Sequence, residues 1–151
     1  MLTYRTAASF GERFGRTVNF EKNLFNVESW LVHHGDKLEG RFLLQAYKTM
    51  NHLLGTINIT RNGDSLEKII DTISSDIHLI AIDSDLFFTA QEDKKTFKRG
   101  KKIKENIYYH EIKSIHGHDA FLIENNIVSQ IFSSIFKPKS NYFQYDESNT
   151  K

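Results

Sequence analysis

The 151 residues contain no cysteine, which excludes disulfides, thiolate chemistry and cysteine-based zinc sites. No apolar run approaches the ~20 residues needed to cross a bilayer; the longest are broken by His, Asp or Lys within a few positions. Charge of one sign is missing too, because 20 Lys and Arg against 19 Asp and Glu leave a formal charge of +1. So even a balance provides no long-range field to hold a phosphate backbone or an anionic membrane, and neither partner is expected. Met1-Leu2-Thr3-Tyr4-Arg5 lacks the basic, apolar and small-residue sections of a signal peptide. Together these absences make a cytoplasmic protein the expectation. Hydrophobic residues at 39% fall below the usual apolar share, charged residues at 26% are ordinary for a soluble domain, and the length suits one domain or part of a larger one.

Apolar spacing predicts helices through residues 1–60. Ala7, Phe10 and Phe14 recur at steps of three and four. A second run from Phe25 through Trp30, Leu31 and His34 is expected to stop at Gly35, and a third, from Phe42 through Tyr47, Met50, Leu53 and Leu54, at Gly55. Core packing is the simplest role for these Phe and Leu residues. Asn62-Gly63-Asp64 signals a turn, and Ser65 is a candidate N-cap for a helix reaching Ile73. Residues 77–82 (IHLIAI) have the length and β-branching of a buried strand, and residues 106–112 read as a second. A lysine-rich helix over 90–104 separates them, and a helix over 125–136 closes the order. Strand, helix, strand, helix marks an α/β fold with parallel strands. Two parallel strands are too few to be stable alone, so the chain is expected to be part of a larger domain. Residues 138–151 form a polar tail expected to be disordered.

In open parallel sheets functional residues gather in the loops after the strands' C-terminal ends. One such loop is Asp83-Ser84-Asp85-Leu86-Phe87; the other runs from Lys113 to Phe121. An acid after one strand and a histidine after the next fits the order Ser, Asp or Glu, His of a nucleophilic triad. Both loops would reach the same sheet edge, where a carboxylate can accept the imidazole Nδ1 proton and leave Nε2 as base. A loop acid and an unrelated surface histidine remain the alternative. His116 and His118 with Asp119 or Glu111 also invite a metal reading, but no further convergent ligand set accompanies them and no metal is expected. Ser84 and Ser114 suit turn hydrogen bonding, and the lysines of residues 94–104 suit a solvated face.

The wording of these loops is similar to one family. His116-Gly117-His118-Asp119-Ala120-Phe121, preceded by Ser84-Asp85-Leu86-Phe87, resembles the C-terminal motifs of homoserine O-acetyltransferases of the α/β-hydrolase type. Leu2-Thr3-Tyr4-Arg5, Arg13-Phe14-Gly15, Val27-Glu28-Ser29-Trp30-Leu31 and His34-Gly35-Asp36-Lys37-Leu38 resemble the segments leading into that family's helical lid. The resemblance covers residues 1 to about 136. It implies the C-terminal part of an α/β-hydrolase core over 61–137, preceded by a helical lid region over 1–60. It further implies Asp85 as the triad acid, with Asp83 structural, and His118 as the base. Asp119 is implied to contact the homoserine amino group, and Tyr4 to line the substrate pocket.

The family's reaction is acetyl transfer from acetyl-CoA to L-homoserine through an acyl-serine, a step of methionine biosynthesis. The resemblance therefore implies small-molecule substrates, no dissociable cofactor (acetyl-CoA is a substrate) and a homodimer built through the lid. Two departures matter. Leu43-Leu44-Gln45-Ala46-Tyr47 stands where the family has an Asp-x-Asn-Ser-Tyr-like stretch. No Gly-x-Ser-x-Gly nucleophile elbow is present either, and the family's oxyanion-hole segment and carboxylate-binding arginine also lie outside the match. The chain is thus expected to carry the C-terminal half only and to be inactive alone. It would then be either a remnant or one half of a split enzyme needing an N-terminal partner. A succinyl donor or a serine acceptor fits the same residues.

Overall fold

A computed structural model describes residues 4–136; the tail beyond Pro138 lies outside them. Thr6 starts the first helix, α1 (Ala7–Phe14), its hydroxyl accepting the Ser9 N–H at 3.0 Å. Gly15 ends it at φ 52°. A two-residue antiparallel pair follows, β1 (Val18–Asn19) with β2 (Leu24–Phe25), turning at Asn23 with φ 51°. Strands this short carry no legible alternation, which is why the sequence reading passes over them.

Helix α2 spans Asn26–Arg41, and the Glu28 carboxylate accepts the Phe25 N–H at 2.8 Å at its start. Gly35 therefore does not stop it. Likewise α3 (Leu44–Thr56) runs one residue past Gly55, with Ile57 as its C-cap. Neither glycine takes a positive φ. A glycine ends a helix when it turns left-handed; kept right-handed it costs only about 1 kcal/mol against alanine, and the helix continues. Phe10 and Phe14 pack on Trp30 at 5.8 and 5.7 Å between ring centroids, joining α1 to α2, and Trp30 meets His34 at 4.2 Å. The core role expected for the apolar residues of α3 is not observed. Tyr47, Met50 and Leu53 are 52%, 65% and 54% exposed, because no element lies across from that face among the described residues.

Ser65 caps α4 (Leu66–Thr72), accepting the Lys68 N–H at 3.2 Å. Strands β3 (Ile77–Ile82) and β4 (Ile107–Ile112) then pair in parallel, Ile77 opposite Ile107 and Ile82 opposite Ile112. Between them α5 (Ala90–Lys101) covers one sheet face, with Phe97 against Tyr109 at 5.7 Å. Gly100 lets α5 come close, since a Cβ there would lie 2.7 Å from the Ile107 Cδ1. A single 3-10 turn (Gly117–Asp119), the short α6 (Ala120–Ile123) and α7 (Asn125–Ile135) complete the chain. The buried trio Ile82, Ile112 and Ala120 packs against Ile127, Val128 and Ile131 of α7 on the opposite face. The result is a mixed α/β arrangement whose parallel pair is sandwiched between α5 and α7.

Candidate active site

The loops that leave β3 and β4 meet at the C-terminal edge of the parallel pair, as the strand register requires. Asp83 continues the ladder: its N–H donates to Ile112 O at 3.0 Å, and its Oδ1 accepts the Ser114 N–H at 3.0 Å. That leaves Asp83 tying one loop to the other. Ser84 does the same, donating to Ser114 O and accepting the Gly117 N–H at 3.0 Å. Ser114 in turn donates to Glu124 at 2.8 Å and accepts the His116 N–H at 3.1 Å. Both serines are struts in the turn, as their surroundings in sequence suggest.

Asp85 is buried, its side chain only 5% exposed. Its Oδ1 accepts the backbone N–H groups of Phe87 and Phe88 at 2.7 and 3.0 Å. Its Oδ2 lies 2.7 Å from the Nδ1 of His118. One oxygen is thus anchored by main-chain donors and the other is aimed at an imidazole, which fixes the carboxylate's rotation as well as its position. With the carboxylate ionised, Nδ1 carries the proton of that bond, and the lone pair falls on Nε2. Among the described residues no group hydrogen-bonds Nε2. The His118 ring is held by aromatic contacts instead, with Tyr4, Phe87, Phe88 and Phe121 at centroid distances of 5.2 to 5.6 Å.

Tyr4 and Asp119 converge on the same spot by another route. The Asp119 N–H donates to Tyr4 O at 3.1 Å, and the Asp119 Oδ2 accepts from Arg5 Nε at 3.0 Å. Arg5 also reaches the Ser9 hydroxyl at 3.3 Å, and Ser9 Oγ lies 2.9 Å from His116 Nδ1. Thr6 donates to Ile115 O. Residues 4–9 therefore form a strap across the turn that presents His118. Gly117 accommodates it: φ is +66°, and a Cβ would sit 2.9 Å from Tyr4 O. Arg5, Ser9 and Gly117 escape the sequence reading because their roles depend on contacts more than 100 residues apart, which periodicity does not register. Their one visible signal is position: Arg5 and Gly117 lie inside the two quoted motifs, and Ser9 follows the first of them.

His116 and His118 are engaged with different partners, Ser9 and Asp85. Among the described residues no group of three His, Asp or Glu is placed to hold a metal ion. A cleft of about 440 Å³ opens beside the pair, lined by Asp85, His118 and Phe121 with Ile80, Ile82 and Val128 beneath. Asp93 also lines it, and burial followed by the nearby Asp85 charge pushes its carboxyl above the usual aspartate value. On the α5 side, Glu111 accepts from Lys94 and Tyr109, both at 2.6 Å. Those bonds, Lys94 first, hold Glu111 below the ordinary glutamate range; burial, then Glu111, raises the Tyr109 hydroxyl. Lys95 pairs with Glu92 at 2.6 Å on the exposed side of α5, the solvated face its sequence suggests. No helix is long and apolar enough to cross a membrane among the described residues.

No family model matches the chain. Individual relatives do. It is 38% identical over 146 residues to the homoserine O-acetyltransferase of Methanococcus vannielii, covering 91% of this chain and 29% of that protein. The Carboxydothermus hydrogenoformans homoserine O-acetyltransferase matches at 31% over 145 residues, 91% of this chain and 38% of that one. That of Chloroherpeton thalassium matches at 32% over 150 residues, 98% of this chain and 38% of its own length. Nine-tenths or more of this chain is therefore related to homoserine O-acetyltransferases, and it spans 29–38% of the length of these relatives.

Proposed function

We propose that the chain supplies the acid–base half of an acyl-transfer site acting on acetyl-CoA and L-homoserine. The observation that carries the reading is the 2.7 Å bond between His118 Nδ1 and Asp85 Oδ2, which leaves Nε2 as a base. In this reading Nε2 takes the proton of a serine hydroxyl as that oxygen attacks the acetyl thioester. It then gives the proton to the departing CoA sulfur. In the second half His118 deprotonates the homoserine hydroxyl, which attacks the acyl-serine, and returns the proton to the serine oxygen. Asp85 stabilises the imidazolium formed each time. No cofactor beyond these substrates takes part.

Asp119 and Tyr4 are the residues we assign to substrate. Asp119 already pairs with Arg5 through Oδ2, so an incoming ammonium would share a carboxylate whose charge is partly offset. The strands and flanking helices are taken as the C-terminal part of an α/β-hydrolase core, and residues 1–60 as its helical lid. The exposed apolar face of α3 supports pairing of two lids in a homodimer. Since no Gly-x-Ser-x-Gly occurs in the 151 residues, the serine comes from elsewhere in the transferase. The chain is thus the complementing part of a split or longer enzyme.

The test is release of free CoA from acetyl-CoA in the presence of L-homoserine, with the chain alone and with the remaining part of the Methanococcus vannielii relative. Turnover only on mixing is expected. Turnover by the chain alone would refute the assignment of the serine to outside it. No turnover in either case would favour a catalytically inactive remnant.

A further inference from the structure

We infer that this chain by itself hydrolyses acetyl esters of acidic phenols, with His118 Nε2 as the attacking atom. This activity needs no serine and stands on the geometry of the dyad, so it is independent of the acyl-transfer reading. The 2.7 Å bond from Nδ1 to Asp85 Oδ2 holds the ring in the tautomer whose Nε2 carries a lone pair. Asp85 is itself fixed by the Phe87 and Phe88 N–H groups, so that lone pair is aimed before any substrate arrives. The His118 side chain is 24% exposed and borders the cleft of about 440 Å³, which makes the ring reachable. Among the described residues it alone of the 7 histidines bonds a carboxylate. His78 and His110 bond each other, and His116 Nδ1 is taken by Ser9.

A neutral imidazole becomes cationic as it attacks a carbonyl, and a carboxylate fixed at Nδ1 stabilises that charge as it develops. Nε2 adds to the ester carbonyl, the bond from that carbon to the phenol oxygen breaks, and the phenolate leaves with the electron pair. The acetyl-imidazolium keeps its Nδ1 proton on Asp85. Water then adds to the acetyl carbon and loses a proton to solvent, the C–N pair returns to Nε2, and acetic acid departs. The surroundings select the substrate. Rings of Tyr4, Phe87, Phe88 and Phe121 stand 5.2 to 5.6 Å from the imidazole, a setting that suits an aryl group. Besides His118, the ionisable residues lining the cleft are two acids, Asp85 and Asp93, which favours an uncharged ester. A thioester fails at the first step. The CoA thiolate is a stronger base than imidazole, so the tetrahedral adduct expels the imidazole and returns to acetyl-CoA.

The experiment follows 4-nitrophenolate release from 4-nitrophenyl acetate by the chain alone. Expected is a saturable rate that falls at least about tenfold in His118→Gln and as much in Asp85→Asn, where the ring remains but Nε2 holds the proton. Losing one of 7 interchangeable histidines would remove only about one-seventh of the rate, and a loss that small would overturn the proposal. Mass spectrometry of the intact chain during turnover keeps the test independent of how the variants fold. One acetyl group on His118, removed by hydroxylamine, is expected. Acetyl on a serine instead, or a rate abolished by phenylmethanesulfonyl fluoride, would assign the attack to another residue and sink the proposal. An Asp85→Asn chain as active as the parent would do the same, since any exposed imidazole would then suffice. Homoserine acetylation on mixing with the remaining part of the transferase is a separate readout, so the two activities stand or fall separately.

Discussion

Replacing Asp85 by Asn tests the dyad without changing its size. Three donors converge on this carboxylate: Phe87 N–H and Phe88 N–H on Oδ1 and the His118 Nδ1–H on Oδ2. An amide has one acceptor oxygen and one NH2 group. The oxygen must stay with the two main-chain donors, because an NH2 there would face them donor to donor. The NH2 group of the substituted side chain would then point at His118 Nδ1, which has to become an acceptor, and the ring proton moves to Nε2. An imidazole protonated at Nε2 cannot take a proton from a hydroxyl. The expected loss of turnover in a reconstituted transferase is about 10⁴-fold, or about 5.4 kcal/mol at 1.36 kcal/mol per factor of ten. Folding should suffer far less, by about 1 kcal/mol, since a charge-assisted hydrogen bond is exchanged for a neutral one. Nitrogen-15 NMR of the histidine ring reads the tautomer in the chain itself, with urea unfolding as the companion measurement. If His118 kept its proton on Nδ1 in the Asp85→Asn variant, the claim that Asp85 sets the tautomer would be refuted.

Gly117→Ala should destabilise the chain by about 1–3 kcal/mol, because φ is +66° and the new Cβ would meet Tyr4 O at 2.9 Å; urea midpoints measure this, and the His118 ring signals should shift with it. Gly100→Ala should cost about 1–3 kcal/mol through overpacking against the Ile107 Cδ1, and adding Ile107→Val, which removes that methyl, should recover part of the loss in a double-mutant comparison. His110 is held below its ordinary value of 6.5 by burial and then by His78, whose Nδ1 lies 3.1 Å from its Nε2. A depressed folded-state value means the folded chain binds fewer protons, so this stability is present above about pH 6.5 and is lost as pH falls through the folded-state value. Urea midpoints should therefore drop between pH 7.5 and 5.5, and His110→Gln should flatten that drop; an unchanged slope in the variant would show that other groups carry it.

Local structure was legible wherever a short-range pattern carried it. Ile77–Ile82 announces itself by β-branching and by the polar residues around it, Ile107–Ile112 by a short apolar and aromatic run after the lysine-rich helix, and Ser65 by its place before an apolar run. The Asp85 and His118 loops follow from strand order alone, since loops leaving neighbouring parallel strands must meet at one edge. What sequence could not decide was whether a glycine ends a helix. Gly35 and Gly55 carry the same residue type as Gly15, yet only Gly15 turns left-handed, because that depends on what the chain meets next. Nor could it decide which of Asp83 and Asp85 faces the histidine on position alone. Two residues apart in a turn, one carboxylate falls beside Ser114 N–H and the other beside Phe87 and Phe88 N–H, and only the folded backbone sorts them. The strap of residues 4–9 over Gly117 belongs wholly to tertiary structure. Its bonds join positions more than 100 residues apart, and spacing along a chain records periodicity within an element, never the meeting of two distant ones.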